Sequence, residues 1–215
     1  MQTYQNREQA GKILAEALKN YANRNDVIVL ALPRGGVPVA FEIAQALHVP
    51  LDVFIVRKLG VPHHLELAMG ALAMGDVAIF NDDIIKDLTI SQDAINKVIT
   101  EEREEIKRRA LAYRGQQIFP VLRDKIIILV DDGVATGATM RVAIKALEQF
   151  HPSSIVVAVP VADQSIYKQI QLLVDEIICP LQPGNLYAVG NWYDDFSQVE
   201  DEEVRKLLGK QKHHA

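Results

Sequence analysis

A single cysteine, Cys179, stands in 215 residues, so no disulfide can form within the chain and a reducing compartment, the cytoplasm, is expected. Cys179 closes an apolar, strand-like run, which predicts a buried, inert thiol rather than a nucleophile. Basic residues are not in excess. Lys and Arg number 23 against 28 Asp and Glu, and the net charge of −5 argues against general nucleic-acid binding. No apolar run reaches the roughly 18–20 residues of a membrane span, so no membrane partner is expected. The start, Met1 to Arg7, lacks a secretory apolar segment. Internal repeats and low-complexity linkers are absent. The polar stretch Lys210 to Ala215 is expected to fray, leaving His213 and His214 solvated.

Nucleotide motifs are missing too. There is no G-x-G-x-x-G fingerprint and no G-x-x-x-x-G-K-[ST] loop. Leu129-Val-Asp-Asp132 resembles the opening of a receiver domain. The late lysine of that family has no convincing counterpart, and its motif lacks the Thr-Gly-x-Thr turn found here. A dehalogenase-like phosphatase wants a second Asp two positions after the first, where this chain has Gly133.

What is present is Lys125-Ile-Ile-Ile-Leu-Val-Asp-Asp-Gly-Val-Ala-Thr-Gly-Ala-Thr139. The continuous β-branched run from Ile126 to Val130 predicts a strand buried on both faces of a parallel sheet. Met140 to Phe150 then places Val142, Ala143, Ala146, Leu147 and Phe150 on one helical stripe. The turn between them lies at a helix amino end, where unpaired N–H groups and the helix dipole favour an anion such as phosphate. Thr136 and Thr139 add hydroxyl donors, while Asp131 and Asp132 only accept, which suits sugar hydroxyls or a hydrated metal. A phosphate cradle beside a diol acceptor describes a ribose phosphate. The plain alternative is a strand end with solvated acids and a threonine cap.

A second turn of the same kind follows the strand Val27 to Leu32. Pro33-Arg-Gly-Gly36 puts a forked cation, Arg34, and the Gly35 and Gly36 amides before a helix from Val37 to Leu47. A third strand, Leu51 to Arg57, ends in Arg57 and Lys58, either two more cations for an anion or a pair of surface charges. Residues 58–75 have Gly-flanked arms and a Pro-His-His centre, a loop or hairpin in which His63, His64 and Glu66 are candidate acids or metal ligands, or simply solvated.

These residues resemble type I phosphoribosyltransferases, from about residue 25 to 180. The Pro-Arg-Gly-Gly and Arg-Lys-Leu-Gly versions look most like bacterial phosphoribosyltransferase-domain proteins of unassigned substrate. The resemblance implies an α/β fold, a parallel sheet flanked by helices with a lobe over its carboxyl edge. It implies that Asp131 and Asp132 meet the ribose hydroxyls of phosphoribosyl diphosphate and hold Mg²⁺ through water. Ala135, Thr136, Gly137, Ala138 and Thr139 would wrap the 5-phosphate. Arg34, Gly35, Gly36, Arg57 and Lys58 would meet the diphosphate, with a cis peptide at Arg34–Gly35. Lys58, and more weakly His63 and His64, would be catalytic, since Arg57-Lys58 is similar to the pair that opens the mobile loop of orotate phosphoribosyltransferases. Hypoxanthine-guanine enzymes carry an acid where this chain has Ala135, so it departs from their pattern and is closer to adenine-type loops. The implied activity moves ribosyl phosphate to a small nitrogen acceptor. The same fold also serves regulators that bind such ligands without turnover. A homodimer stays open.

The remaining pattern predicts one domain over residues 1–215, with residues 58–118 and 181–209 as the lobe and an added segment. Asn6 and Gln9 predict a capped first helix with Ala10, Ile13, Leu14, Ala17, Leu18 and Tyr21 buried. Val77 to Phe80 predicts a short strand and Gln92 to Tyr113 a long helix, whose block from Glu101 to Arg109 is a solvated face. Strands over Ile155–Val161 and Glu176–Cys179 flank a helix over Ser165–Leu173. Ser197 with Glu200 predicts the cap of a last helix ending at Gly209. Trp192 and its neighbours in Asn191 to Phe196 either stack on a base or pack in the core.

Overall fold

The computed structural model describes residues 3–62 and 64–211. Five parallel strands form the main sheet: β1 (Val27–Ala31), β2 (Leu51–Val53), β6 (Ile126–Val130), β7 (Ser154–Ala158) and β8 (Glu176–Ile178), in the order β2-β1-β6-β7-β8. Three antiparallel strands, β3 (Val56–Val61), β4 (His64–Ala73) and β5 (Val77–Phe80), form a second sheet. The helices are α1 (Arg7–Ala17), α2 (Gly36–Leu47), α3 (Asp82–Asp87), α4 (Gln92–Arg114), α5 (Ala138–Glu148), α6 (Gln164–Gln171) and α7 (Asp201–Gln211). This is the expected α/β fold, with the second sheet and α4 as the lobe. No helix among the described residues is long and apolar enough to cross a membrane.

The topology sets the site. From β1 the chain steps outward to β2, passes through the lobe, and returns on the other side of β1 as β6 before continuing to β7 and β8. The strand order therefore reverses between β1 and β6, the place where open parallel sheets bind ligands at their carboxyl edge. Register completes the alignment. Ala31 pairs with Val130, and the Leu32 amide donates to the Val130 carbonyl at 2.9 Å, so the two anion-shaped turns leave the sheet side by side.

β1 and β6 are almost wholly buried, as their continuous apolar composition requires. Burying one such Val, Leu or Ile side chain contributes about 1.5–3 kcal/mol. Phe54, Phe119 and Phe150 meet beneath the lobe with ring centroids 5.9–6.2 Å apart. Arg114, buried at the end of α4, donates to both carboxylate oxygens of Asp52 at 2.7 and 2.9 Å and to the carbonyls of Gln117 and Ile118. Its charge is thus paired and hydrogen-bonded, as a buried guanidinium must be.

Several expectations change. The strand over Leu51–Arg57 is two elements: Phe54 and Ile55, both fully buried, carry the chain out of β2 and into β3 of the other sheet. A continuous apolar run gives no sign of such a break. Residues 58–75 form the hairpin, with register shifts around Gly60, and Leu59, Val61, Met69 and Leu72 reach the main core. Ile13 is 42% exposed, because α1 turns another side to α2, with Gly11 against the Val39 carbonyl and Glu42. Asn6 caps α1 as expected, accepting from the Gln9 amide, but Gln9 answers one residue early, accepting from the Gln5 amide at 2.6 Å. Ser197 caps nothing: its amide donates to Asp195, and α7 begins at Asp201 with three acids in its first turn to balance the dipole. The cis peptide is Pro33–Arg34, one bond before the expected place. Residues 212–215, with His213 and His214, lie outside the described residues.

Candidate active site

The acids Asp131 and Asp132 leave β6 into the gap between the two turns. They are not equivalent. Asp132 accepts from Arg7 Nε at 2.9 Å, with a second guanidinium nitrogen at 2.8 Å, and the two side chains are only 14% and 11% exposed. The Tyr193 hydroxyl donates to the Asp132 carbonyl at 2.6 Å. The Asp132 amide donates to Asp131 Oδ1 at 2.9 Å. Burial pushes the Asp131 carboxyl well above the ordinary range, and the neighbouring Asp132 charge pushes it further. Burial raises Asp132 as well, but there Arg7 opposes the rise. Asp131 is therefore the member of the pair that takes up a proton more readily.

Gly35 explains how the turns fit together. A Cβ at that position would lie 2.0 Å from Asp132 Oδ2. The acid loop packs directly on the backbone of the Pro33–Gly36 turn, and only glycine leaves room. Gly36 opens α2 against the Val130 carbonyl and the Asp131 backbone.

Ala135 to Thr139 curl around a cavity of about 220 Å³ that Asp131, Met140 and Val189 also line. Gly137 holds φ at +71° before the first turn of α5, a conformation that a side chain resists. Thr136, Ala138 and Thr139 are exposed to the cavity mouth. Arg141, in the first turn of α5, reaches back to the Thr136 carbonyl at 3.0 Å and Gln169 at 3.2 Å, adding positive charge beside the loop.

The cations divide. Arg34 stands at the turn but faces acids at the start of α7, with Asp201 Oδ1 at 3.4 Å and the preceding Glu200 Oε2 at 3.8 Å. Tyr113 holds the same Asp201 oxygen at 2.9 Å. Arg57 and Lys58 are neighbours in a strand and so point to opposite faces. Arg57 binds Glu102 of α4 at 2.6 Å. Lys58 lines a small apolar slot of about 140 Å³ with Val56, Ala68, Gly70, Ala71, Ala138, Thr139 and Val142, which puts it on the α5 side. Of the two, Lys58 is the one that shares this slot with Ala138 and Thr139 of the turn after β6. His64 is exposed at the hairpin end, and His63, like the Glu66 side chain, lies outside the described residues.

Among the described residues no three carboxylates, histidines or cysteines cluster as metal ligands. Asp131 and Asp132, the latter ion-paired to Arg7, are two carboxylates where magnesium takes an octahedron of oxygens, so an ion there would need water and substrate oxygens for the rest.

Arg7 was not anticipated, although a signal existed. A cation at the first position of a helix opposes the dipole and calls for another partner. Its guanidinium lies 3.9 Å over the Phe196 ring and donates to the Ser197 carbonyl at 2.8 Å. Tyr193 packs between Tyr4 and Phe196, at 5.5 and 5.0 Å, so the Asn191–Phe196 aromatics pack rather than stand free. Cys179 is buried as expected. Its thiol donates to the Leu181 carbonyl, and burial pushes it up to about 12.

The chain is similar to several known proteins. The crystal structure of TT1426 from Thermus thermophilus superposes with a TM-score of 0.85 at 36% identity, over 98% of this chain and 99% of that one. A Mycobacterium tuberculosis protein provisionally named a phosphoribosyl transferase is 39% identical over 211 residues; the match covers 98% of this chain and 47% of the relative, so this chain spans about half its length. The Clostridium acetobutylicum bifunctional protein PyrR is 25% identical over 136 residues, covering 63% of this chain and 57% of that protein. The phosphoribosyl transferase domain model matches residues 2–185, and the chain belongs to that family.

Proposed function

We propose that the chain binds phosphoribosyl diphosphate and transfers its ribosyl phosphate to a nitrogen acceptor, a nucleobase or related heterocycle. The observation that carries this is the contact of the two anion-shaped turns at the β1–β6 switch point, with Gly35 against Asp132. In this reading the turn at Arg34 to Gly36 takes the diphosphate, beside acids that take the diol and a loop that takes the 5-phosphate. In the reaction the bond from ribosyl C1 to diphosphate oxygen breaks, a bond from C1 to the acceptor nitrogen forms, and that nitrogen loses a proton. Positive charge develops on the sugar and negative charge on the leaving group, so stabilising charge matters more than a strong nucleophile. In this reading Asp131 and Asp132 orient the ribose hydroxyls, and Ala135 to Thr139 hold the 5-phosphate. Arg34 and Lys58 neutralise the diphosphate, which brings Mg²⁺ as its counter-ion. Tyr187, 90% exposed and two residues before the loop-lining Val189, offers a ring to a planar acceptor.

Diphosphate release from phosphoribosyl diphosphate and Mg²⁺, screened over nucleobases, tests the reading. At least one base should give turnover. The second reading is a module that binds the ligand without turnover. It is favoured by Arg34 and Asp132 already being paired within the chain. Binding of phosphoribosyl diphosphate with no release for any base would select it.

Arg34 must leave its α7 partners to reach a diphosphate. The pair is exposed and worth about 0.2–1 kcal/mol. Asp201→Asn should therefore tighten inorganic diphosphate binding about twofold in a calorimetric titration. Weaker binding in the variant would mean that α7 positions Arg34 rather than competing for it.

A further inference from the structure

Arg7 is held by three different groups from two distant parts of the chain. Asp132 follows β6, and its carboxylate takes two nitrogens of the fork. Phe196 lies under the guanidinium plane, and the Ser197 carbonyl takes a third nitrogen. Tyr193, four residues before Ser197, fastens the Asp132 backbone. With its side chain 11% exposed, Arg7 is a fixed guanidinium rather than a surface cation. It sits on the oxygen of Asp132 that presses against Gly35. A divalent ion at that oxygen would have to displace a planar, two-point partner whose charge is never lost by deprotonation.

We propose that Arg7 is the resident cation of the acid pair, a positioning residue that keeps Asp132 charged and in place without a metal. The inference rests on the ribose reading of Asp131 and Asp132. It adds that the ribose half of the site is assembled by the α1 start and the 193–197 segment, and that divalent metal serves only the diphosphate half. A ligand with ribose and 5-phosphate but no diphosphate then binds without metal. A ligand with diphosphate depends on it.

The test is calorimetric titration of ribose 5-phosphate into wild type, Arg7→Gln and Arg7→Lys, each with Mg²⁺ and with a chelator. Wild type should bind equally in both conditions. Arg7→Gln should lose about tenfold or more in chelator, the size of one charge-assisted hydrogen bond, and regain part of the loss with Mg²⁺. Arg7→Lys keeps a charge and should stay independent of Mg²⁺, and it decides the matter if Arg7→Gln does not fold. Wild-type binding that needs Mg²⁺, a loss in Arg7→Gln that Mg²⁺ leaves untouched, Arg7→Gln binding within twofold of wild type, or Mg²⁺-dependent binding by Arg7→Lys would each overturn the inference alone. A wild type that binds no ribose 5-phosphate would overturn the ribose reading and the inference with it.

Discussion

Asp132→Asn should lower the melting temperature by about 6–12 °C. Breaking a largely buried ion pair leaves its partner charged and unpaired, at about 3 kcal/mol or more. Each kcal/mol moves the midpoint of a chain this size by about 2–4 °C. The partner is Arg7, whose remaining contacts, Ser197 and Phe196, carry no formal charge to balance it. Asp131→Asn is the comparison. Among the described residues that acid has no basic partner within hydrogen-bond reach, and its carboxyl is pushed up by burial and by Asp132. Its native pKa is above its unfolded value, so its contribution to stability is complete below about pH 3.8 and is lost as pH rises through the raised value. Asn at 131 should thus cost little at neutral pH. Thermal melts of both variants decide it. Equal, small losses would mean that Asp132 is a solvated acid, as a strand-end position alone suggests.

Sequence position alone did suggest that, and the difference shows what a sequence can carry. β6 and its loop were legible because a strand buried on both faces needs an unbroken apolar run, and the residues after it are fixed by local chemistry: acids, then a turn whose Gly137 must take positive φ. Pro33 to Gly36 was legible for the same reason. What was not legible is contact between distant segments. Arg7 meets Asp132 across 125 positions, and Arg34 meets Asp201 across 167. No periodicity encodes either pairing. The division of Arg57 from Lys58 lies between these cases. Alternation along a strand already forbids both from facing one ligand, but only the fold shows that α4 takes Arg57 through Glu102. The break between β2 and β3 is hidden by the apolar run that buries it, because Phe54 and Ile55 are core residues whichever sheet they join.

Gly35→Ala should remove ribose phosphate binding more completely than loss of any single charge. The backbone at Gly35 has φ −60° and ψ −33°, which alanine adopts freely, so the penalty is not conformational. It is the methyl group itself, placed 2.0 Å from Asp132 Oδ2. Either the carboxylate swings away from Arg7 or the whole turn lifts from β6. Overpacking of this kind costs about 1–3 kcal/mol. Displacing a reacting group by about 1 Å typically costs two orders of magnitude in function. Both Asp132 and the Arg34 turn would be displaced together, so ribose 5-phosphate and inorganic diphosphate should each bind about 100-fold more weakly. The origin of the effect is checked by a second background. In Asp132→Ala the clashing oxygen is gone, so adding Gly35→Ala should cost far less stability than it does in wild type, a non-additivity of about 1–3 kcal/mol in denaturant unfolding. Additive losses would show that alanine at 35 disturbs something other than Asp132. A wild-type-like Gly35→Ala protein, in both melting and binding, would mean that the two turns do not touch.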